Sequence, residues 1–271
     1  MLESNKPTPE QTAKIKGHML DIMDEIHRIC IRHGIKYSLI YGSMMGAVLY
    51  EGFIPWDDDI DIVFLRDDFE RFSAACMAEL KPPFFFQSSE TDPEFLEPEL
   101  YKIRKDGTAL LESADMHRNI HHGVWVDITI MENCDGDLAK VRRCKKYFSL
   151  WRDKYYFRSS LPHLNLKGTV YHSVRRLLPP FTIKRTAARF SKLCRYCDDT
   201  NSPFLFHPFS YQDDIYPRSW MQKVSLVPFE GRMYYMFDEY DKILRVRFPN
   251  YTPDYPEEKR KTTHRFVKIE V

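Results

Sequence analysis

Between Tyr37 and Leu65 the chain reads YSLIYGSMMGAVLYEGFIPWDDDIDIVFL: a short apolar strand, a Gly-Ser pair opening a small-residue helix, then a second strand crowded with carboxylates. In that second strand Ile60, Ile62 and Phe64 alternate with Asp59, Asp61 and Val63, and a period of two sends each set to its own face. Upstream, Thr8-Pro9-Glu10-Gln11 has the form of a capped helix start, Ile15, Met19, Ile22, Met23, Ile26 and Cys30 recur at helical spacing, and Gly34 is a stop. Downstream, Asp67 and Asp68 open a helix that buries Phe69, Phe72, Cys76 and Leu80 and ends at Pro82-Pro83. Strands are expected at 84–87 and 100–104, and again where Val124, Val126, Ile128 and Ile130 alternate with Trp125, Asp127 and Thr129. Residues 224–229 and 232–237 flank Glu230-Gly231 as a hairpin, and Asp238 is placed to cap a short helix through Leu244 and Val246. The pattern predicts an α/β (α+β) chain: a mixed sheet flanked by helices.

The stretch from Lys140 to Cys197 changes this picture. It reads as helices interleaved with Tyr147, Phe148, Trp151, Tyr155, Tyr156 and Phe157, broken near Pro162 and at Pro179-Pro180. The whole chain has 40 lysines and arginines against 39 acids, yet this stretch holds sixteen of the cations and a single acid, Asp153. Such asymmetry suggests an anionic partner. The organisation expected is therefore a core over 1–136, a basic helical insertion over 137–200, and a C-terminal part over 201–271 that completes the core. No stretch approaches the ~18 apolar residues of a membrane span, and the opening MLESNKPTPEQ is too polar for a signal peptide, so the cytoplasm is expected. Peripheral contact with the inner face of the membrane through 140–197 is part of that expectation. Six cysteines without a small-secreted-domain spacing read as reduced thiols, Cys194 and Cys197 included.

Candidate chemistry centres on the carboxylates. Alone, Asp59-x-Asp61 would be a solvated charge pair; inside an apolar strand, behind Pro55 and Trp56, its mutual repulsion calls for a cation. Hard oxygen ligands of this kind suit Mg²⁺ or Mn²⁺. Gly42 and Ser43 supply the complementary half, with backbone that can approach a phosphate and a hydroxyl that can donate to it. Asp127 is a lone acid on an otherwise apolar strand, which is costly to bury unless paired or metal-bound, and it is the natural third member. Lys102 and Arg104 share one strand face and could meet phosphate oxygens. His18, His27 and His33 have no tightly spaced acid or cysteine partner and read as surface or cap residues, and His121 and His122 read as loop residues rather than metal ligands.

The run from Gly42 to Asp61, with its Gly-Ser, Gly-Ala-Val and Gly-Phe-Ile-Pro-Trp-Asp-Asp-Asp-Ile-Asp, resembles the signature of the LicD family of phosphotransferases, related to the fukutin group. The resemblance continues through Gly107-Thr108, His121-His122-Gly123 with Asp127, Phe229 and Gly231, and Pro256 to Arg260 with His264. It implies a nucleotidyltransferase-like fold, metal-binding positions at Asp59, Asp61 and Asp127, and nucleotide phosphate held by Gly42 and Ser43. It also implies a metal-dependent transfer of a substituted phosphate, phosphocholine above all, from a CDP-linked donor to a sugar hydroxyl of a cell-surface glycan, with release of CMP. Lipopolysaccharide or teichoic acid, in lipid-linked form, would be the acceptor. Two other readings stand beside it: a nucleotidyltransferase that transfers NMP, and a non-catalytic glycan- or membrane-binding member of the fold. No nucleic-acid module is recognised, and no nucleic-acid partner is expected.

Overall fold

The protein was analysed as a computed structural model, which describes residues 6–113, 115–116, 118–159, 181–210, 214–253 and 264–271. The breaks expected near Pro162 and at Pro179-Pro180, and the Pro256 to Arg260 ending, lie outside the described residues, as do the side chains of Tyr156 and Phe157.

The first helix, α1 (Pro9–His33), begins as its sequence dictates: Thr8 Oγ1 accepts from the Gln11 N–H while the Gln11 side chain accepts from the Thr8 N–H. It ends on Gly34 in the left-handed region, φ 59°. Its apolar stripe, Ile15 through Cys30, is buried. Two-residue β1 (Ser38–Leu39) leads into α2 (Tyr41–Tyr50), and β2 (Asp61–Leu65) runs directly into α3 (Arg66–Glu79). Next come β3 (Phe84–Gln87), β4 (Tyr101–Lys105), β5 (Ala109–Glu112) and the ten-residue β6 (Trp125–Cys134), buried along its whole length.

The main sheet has the order β1-β2-β6-β4-β3, with β2 and β6 parallel and the other neighbours antiparallel. The far end of β6 pairs with β7 (Phe204–Phe206), which pairs with β8 (Ile215–Pro217). Helices α1 and α3 contact each other and pack on β6. The hairpin β9 (Val224–Phe229) and β10 (Arg232–Phe237) turns through Glu230 and Gly231, both at positive φ, the turn its sequence signals. Its tip grips the loop ahead of the acidic run: Glu230 Oε1 accepts from the Phe53 N–H at 3.0 Å. The last helix among the described residues, α6 (Tyr240–Arg247), starts after Glu239; Asp238 instead accepts from Ser225 Oγ at 2.7 Å. Strand β11 (Phe266–Glu270) pairs with β5 and carries the C-terminal segment back to the sheet.

The basic stretch forms α4 (Leu138–Ser159) and α5 (Phe181–Cys194), which pack on each other. Val141, Cys144, Phe148, Trp151, Tyr155, Ile183, Phe190 and Cys194 make a second core, joined to the sheet by Cys134 and Phe206. Phe148, Trp151 and Tyr155 are therefore interior groups, while Lys184, Arg185, Arg189 and Lys192 are exposed on α5. All six cysteines are free thiols, and Cys197 alone among them is only half-buried. No helix among the described residues is long and apolar enough to cross a membrane.

Candidate active site

Strand register assembles the site. Asp61 is the register partner of Asp127 in the parallel β2–β6 pair, and Asp127 is the partner of Lys102 in the antiparallel β6–β4 pair. The three charged side chains thus form one row across three adjacent strands. Asp59 lies just before β2 rather than in it, because the strand begins at Asp61. It joins the row nonetheless: one oxygen from each of Asp59, Asp61 and Asp127 falls within 4.8 Å of the others.

The electrostatics differ along the row. Burial, reinforced by Asp127 and Asp57, pushes the Asp61 carboxyl up to about 7. Burial, with Asp61 and Asp57, pushes Asp59 well above the usual carboxylate range. Asp127 is equally buried, but Lys102 Nζ at 2.7 Å and the Trp125 Nε1–H donated to its Oδ2 at 2.8 Å more than offset the desolvation and hold it below that range. A hard divalent cation fits the three oxygens in both donor type and charge, since it would relieve the repulsion that burial leaves standing.

A second trio of potential ligands, Asp58, Asp59 and His264, shares Asp59 with the first. His264 arrives on the segment leading into β11; its Nδ1 lies 3.1 Å from Asp58 Oδ1, and its ring meets Trp125 edge-on at 5.6 Å. Burial alone would lower its pKa, but the Asp58 hydrogen bond and the charges of Glu112 and Asp59 carry it up to about 10. At neutral pH His264 is therefore an imidazolium that partly balances the acids.

Gly42 and Ser43 fall in the first turn of α2, not in a turn ahead of it. A Cβ on Gly42 would sit 2.5 Å from Asp57 Oδ2, so the close approach that this glycine permits is made by the Asp57 carboxylate. Ser43 is 3% exposed, and its Oγ accepts from the Asp61 N–H at 2.9 Å, pinning the start of β2. Arg104 points into the protein, with Nε donating to Gln87 Oε1 and a terminal nitrogen to the Gly123 carbonyl. It stacks 4.9 Å over Trp125, and Lys102 stands 4.5 Å from the same ring's centre. Trp125 is thus a core group engaged by the protein's own cations. Thr108 bonds to Lys105 and to the Val124 N–H, closing a loop. His121 and His122 are loop residues.

Asp61, Asp127 and Lys102 line a cleft of about 300 Å³. Its walls also include Tyr41, His207, Arg247 and Glu97, which sequence reasoning missed. Tyr41 has φ 51°, a left-handed conformation uncommon for a bulky residue, and its hydroxyl lies 2.7 Å from His207 Nδ1. The Arg247 guanidinium sits 4.3 Å over the Tyr41 ring. Burial, then Arg247 and Lys145, lowers His207 to about 3, so it is neutral. Nothing adjacent in sequence marks these residues, which meet only through tertiary packing.

Residues 34–104 match the LicD/FKTN/FKRP nucleotidyltransferase domain. Over 260 residues, 90% of this chain and 92% of the relative, the chain is 26% identical to the lipopolysaccharide cholinephosphotransferase LicD of Haemophilus influenzae. An uncharacterized protein of Rickettsia prowazekii and one of Rickettsia typhi are each 36% identical to it over 50 residues, 18% of this chain and 19% and 16% of theirs.

Proposed function

We propose that this chain, a member of the LicD family, is a phosphotransferase that moves phosphocholine from CDP-choline to a hydroxyl of a lipopolysaccharide glycan and releases CMP. One observation carries the reading: Asp61, Asp127 and Lys102 share a register row at the wall of a cleft, with Asp59 beside them, in a chain similar over nearly its full length to a cholinephosphotransferase.

Phosphoryl transfer asks little covalent chemistry of a protein; it asks for positioning and for positive charge around the transferred group. Asp59, Asp61 and Asp127 would hold Mg²⁺ or Mn²⁺, which when bound would neutralise charge on the donor's phosphate oxygens. Lys102 and Trp125 keep Asp127 ionised and oriented, which suits a ligand better than a proton acceptor. Arg247 lines the cleft with no carboxylate within ion-pair distance among the described residues, and it is placed to donate to the donor's pyrophosphate. Ser43 keeps its own hydroxyl hydrogen, but its main work is to fix Asp61.

The test is to incubate the protein with CDP-choline, lipopolysaccharide acceptor and Mg²⁺ or Mn²⁺, and to measure CMP and acceptor-bound phosphocholine. Acceptor-dependent CMP release supports the proposal. Pyrophosphate release from a nucleoside triphosphate, with none of CMP from CDP-choline, would replace it with nucleotidyl transfer.

A further inference from the structure

Each carboxylate in and beside the aspartate row is already matched to something: Asp61 and Asp59 to each other and Asp127, Asp127 to Lys102, Asp58 to His264. Asp115, which also lines the cleft, is paired with Arg118. Glu97 is different. It is 7% exposed and lines the cleft, yet among the described residues it has neither a hydrogen bond nor a cation within 4.0 Å, and it belongs to neither trio able to hold a metal. Its carboxyl is driven up to about 7 by burial, only partly offset by Lys102. In its ionised form a buried acid in this position is costly unless a cation completes it.

The surroundings indicate which kind of cation. The segment bearing Glu97 is docked on α4: Leu96 packs against the second core, and its carbonyl accepts from Trp151 Nε1 at 3.0 Å. From that core Phe148 reaches the cleft, and Phe209 meets it edge-on at 5.1 Å and lines the cleft as well. A small hydrated metal gains nothing from phenyl rings, and a neutral polyol gains little; a weakly hydrated organic ammonium gains from both the rings and the carboxylate. We propose that Glu97, with Phe148 and Phe209, forms a subsite for a quaternary ammonium group in the cleft that Asp61 and Asp127 also line. The subsite selects a donor whose transferred phosphate carries a cationic head group. This inference rests on the phosphotransfer reading, because that reading puts the phosphate at the row of Asp61, Asp127 and Lys102.

Binding of phosphocholine and of glycerol phosphate, measured by calorimetry with Mg²⁺ present, separates the two levels of the argument. The intact protein is expected to prefer phosphocholine by about tenfold, and Glu97→Gln and Phe209→Ala are each expected to erase most of that preference, while Phe209→Tyr keeps it. In turnover, Glu97→Gln should lower the ratio of kcat/KM for CDP-choline to that for CDP-glycerol by a similar factor, about tenfold. Equal binding of the two phosphates by the intact protein, or a preference unchanged in both variants, overturns the subsite. CMP release from CDP-glycerol as fast as from CDP-choline overturns it too, and leaves phosphotransfer standing. Ammonium-selective binding without any CMP release does the reverse.

Discussion

Asp61 carries two opposed demands, since the same burial that would concentrate charge for the proposed metal makes the carboxylate cluster unfavourable by itself. A carboxyl that titrates at about 7 when folded, against the ordinary 3.8, binds more protons folded than unfolded between those values. It therefore subtracts stability progressively as pH rises through that window. The Asp61→Asn variant lacks this term. In metal-free protein its melting temperature should match the parent near pH 4 and exceed it by a growing margin up to about pH 7, and Mn²⁺ should close the gap. A gap independent of pH would remove Asp61 from the repulsive cluster. Activity should run the other way, with Asp59→Ala, Asp61→Ala and Asp127→Asn all inactive at saturating Mg²⁺ although folded. Trp125 acts on the site through Asp127: Trp125→Phe keeps an aromatic face, smaller than the indole, and loses the 2.8 Å hydrogen bond, and it should lower kcat by about tenfold. Full activity in Trp125→Phe would make that bond incidental to turnover.

At the scale of elements, the same strands that align the row are clamped at their other end. Arg66, where β2 passes into α3, ion-pairs with Glu132 on β6 and with Glu99, at 2.6 Å to the latter, and all three are buried. Replacing Arg66 by Met leaves Glu132 without its hydrogen-bonded cation and Glu99 with only Arg195 at 3.8 Å, and denaturant unfolding should show a loss of about 3–5 kcal/mol. A loss under about 1 kcal/mol would mean that water reaches the acids. This clamp was invisible in the sequence, because Arg66 at the start of α3, Glu99 ahead of β4 and Glu132 on β6 are brought together only when the sheet assembles. What was legible had local causes. The Thr8 cap and Gly34 stop of α1, the alternation in β2 and β6, and the Glu230-Gly231 turn are each written within a few residues. Asp127 could be read because a lone acid on an apolar strand is conspicuous. Glu97, Tyr41, His207 and Arg247 could not be, since each is an ordinary polar residue until the chain folds it against the cleft. The misplaced residues fail for a related reason. Periodicity gave Asp59 to the strand and put Gly42 and Ser43 ahead of the helix, but a strand's first residue and a helix's first turn are set by hydrogen bonds such as Asp61 N–H to Ser43 Oγ.

On the scale of the whole molecule, charge is segregated as the sequence suggested, but the aromatics are not. Phe148, Trp151 and Tyr155 turn inward to build the second core, and α5 presents a face of cations. Lys184, Arg185, Arg189 and Lys192 are all exposed there, on a helix whose Ile183, Phe190 and Cys194 are buried. A face of this kind binds an anionic surface by Coulomb attraction without insertion, each cation contributing about 1 kcal/mol near the lipid plane and fading within a Debye length of roughly 8 Å at physiological salt. Such a face would suit the lipopolysaccharide acceptor proposed above if that acceptor is presented on an anionic membrane. Co-sedimentation with vesicles containing phosphatidylserine should therefore be strong at low salt, fall steeply towards 0.5 M NaCl, and be absent for purely zwitterionic vesicles. Changing Lys184, Arg185, Arg189 and Lys192 together to Gln should abolish most of the binding and leave thermal stability nearly untouched, because none of the four side chains is buried. Binding that persists in high salt, or that survives the fourfold change, would mean the cations on α5 serve only to keep that surface solvated.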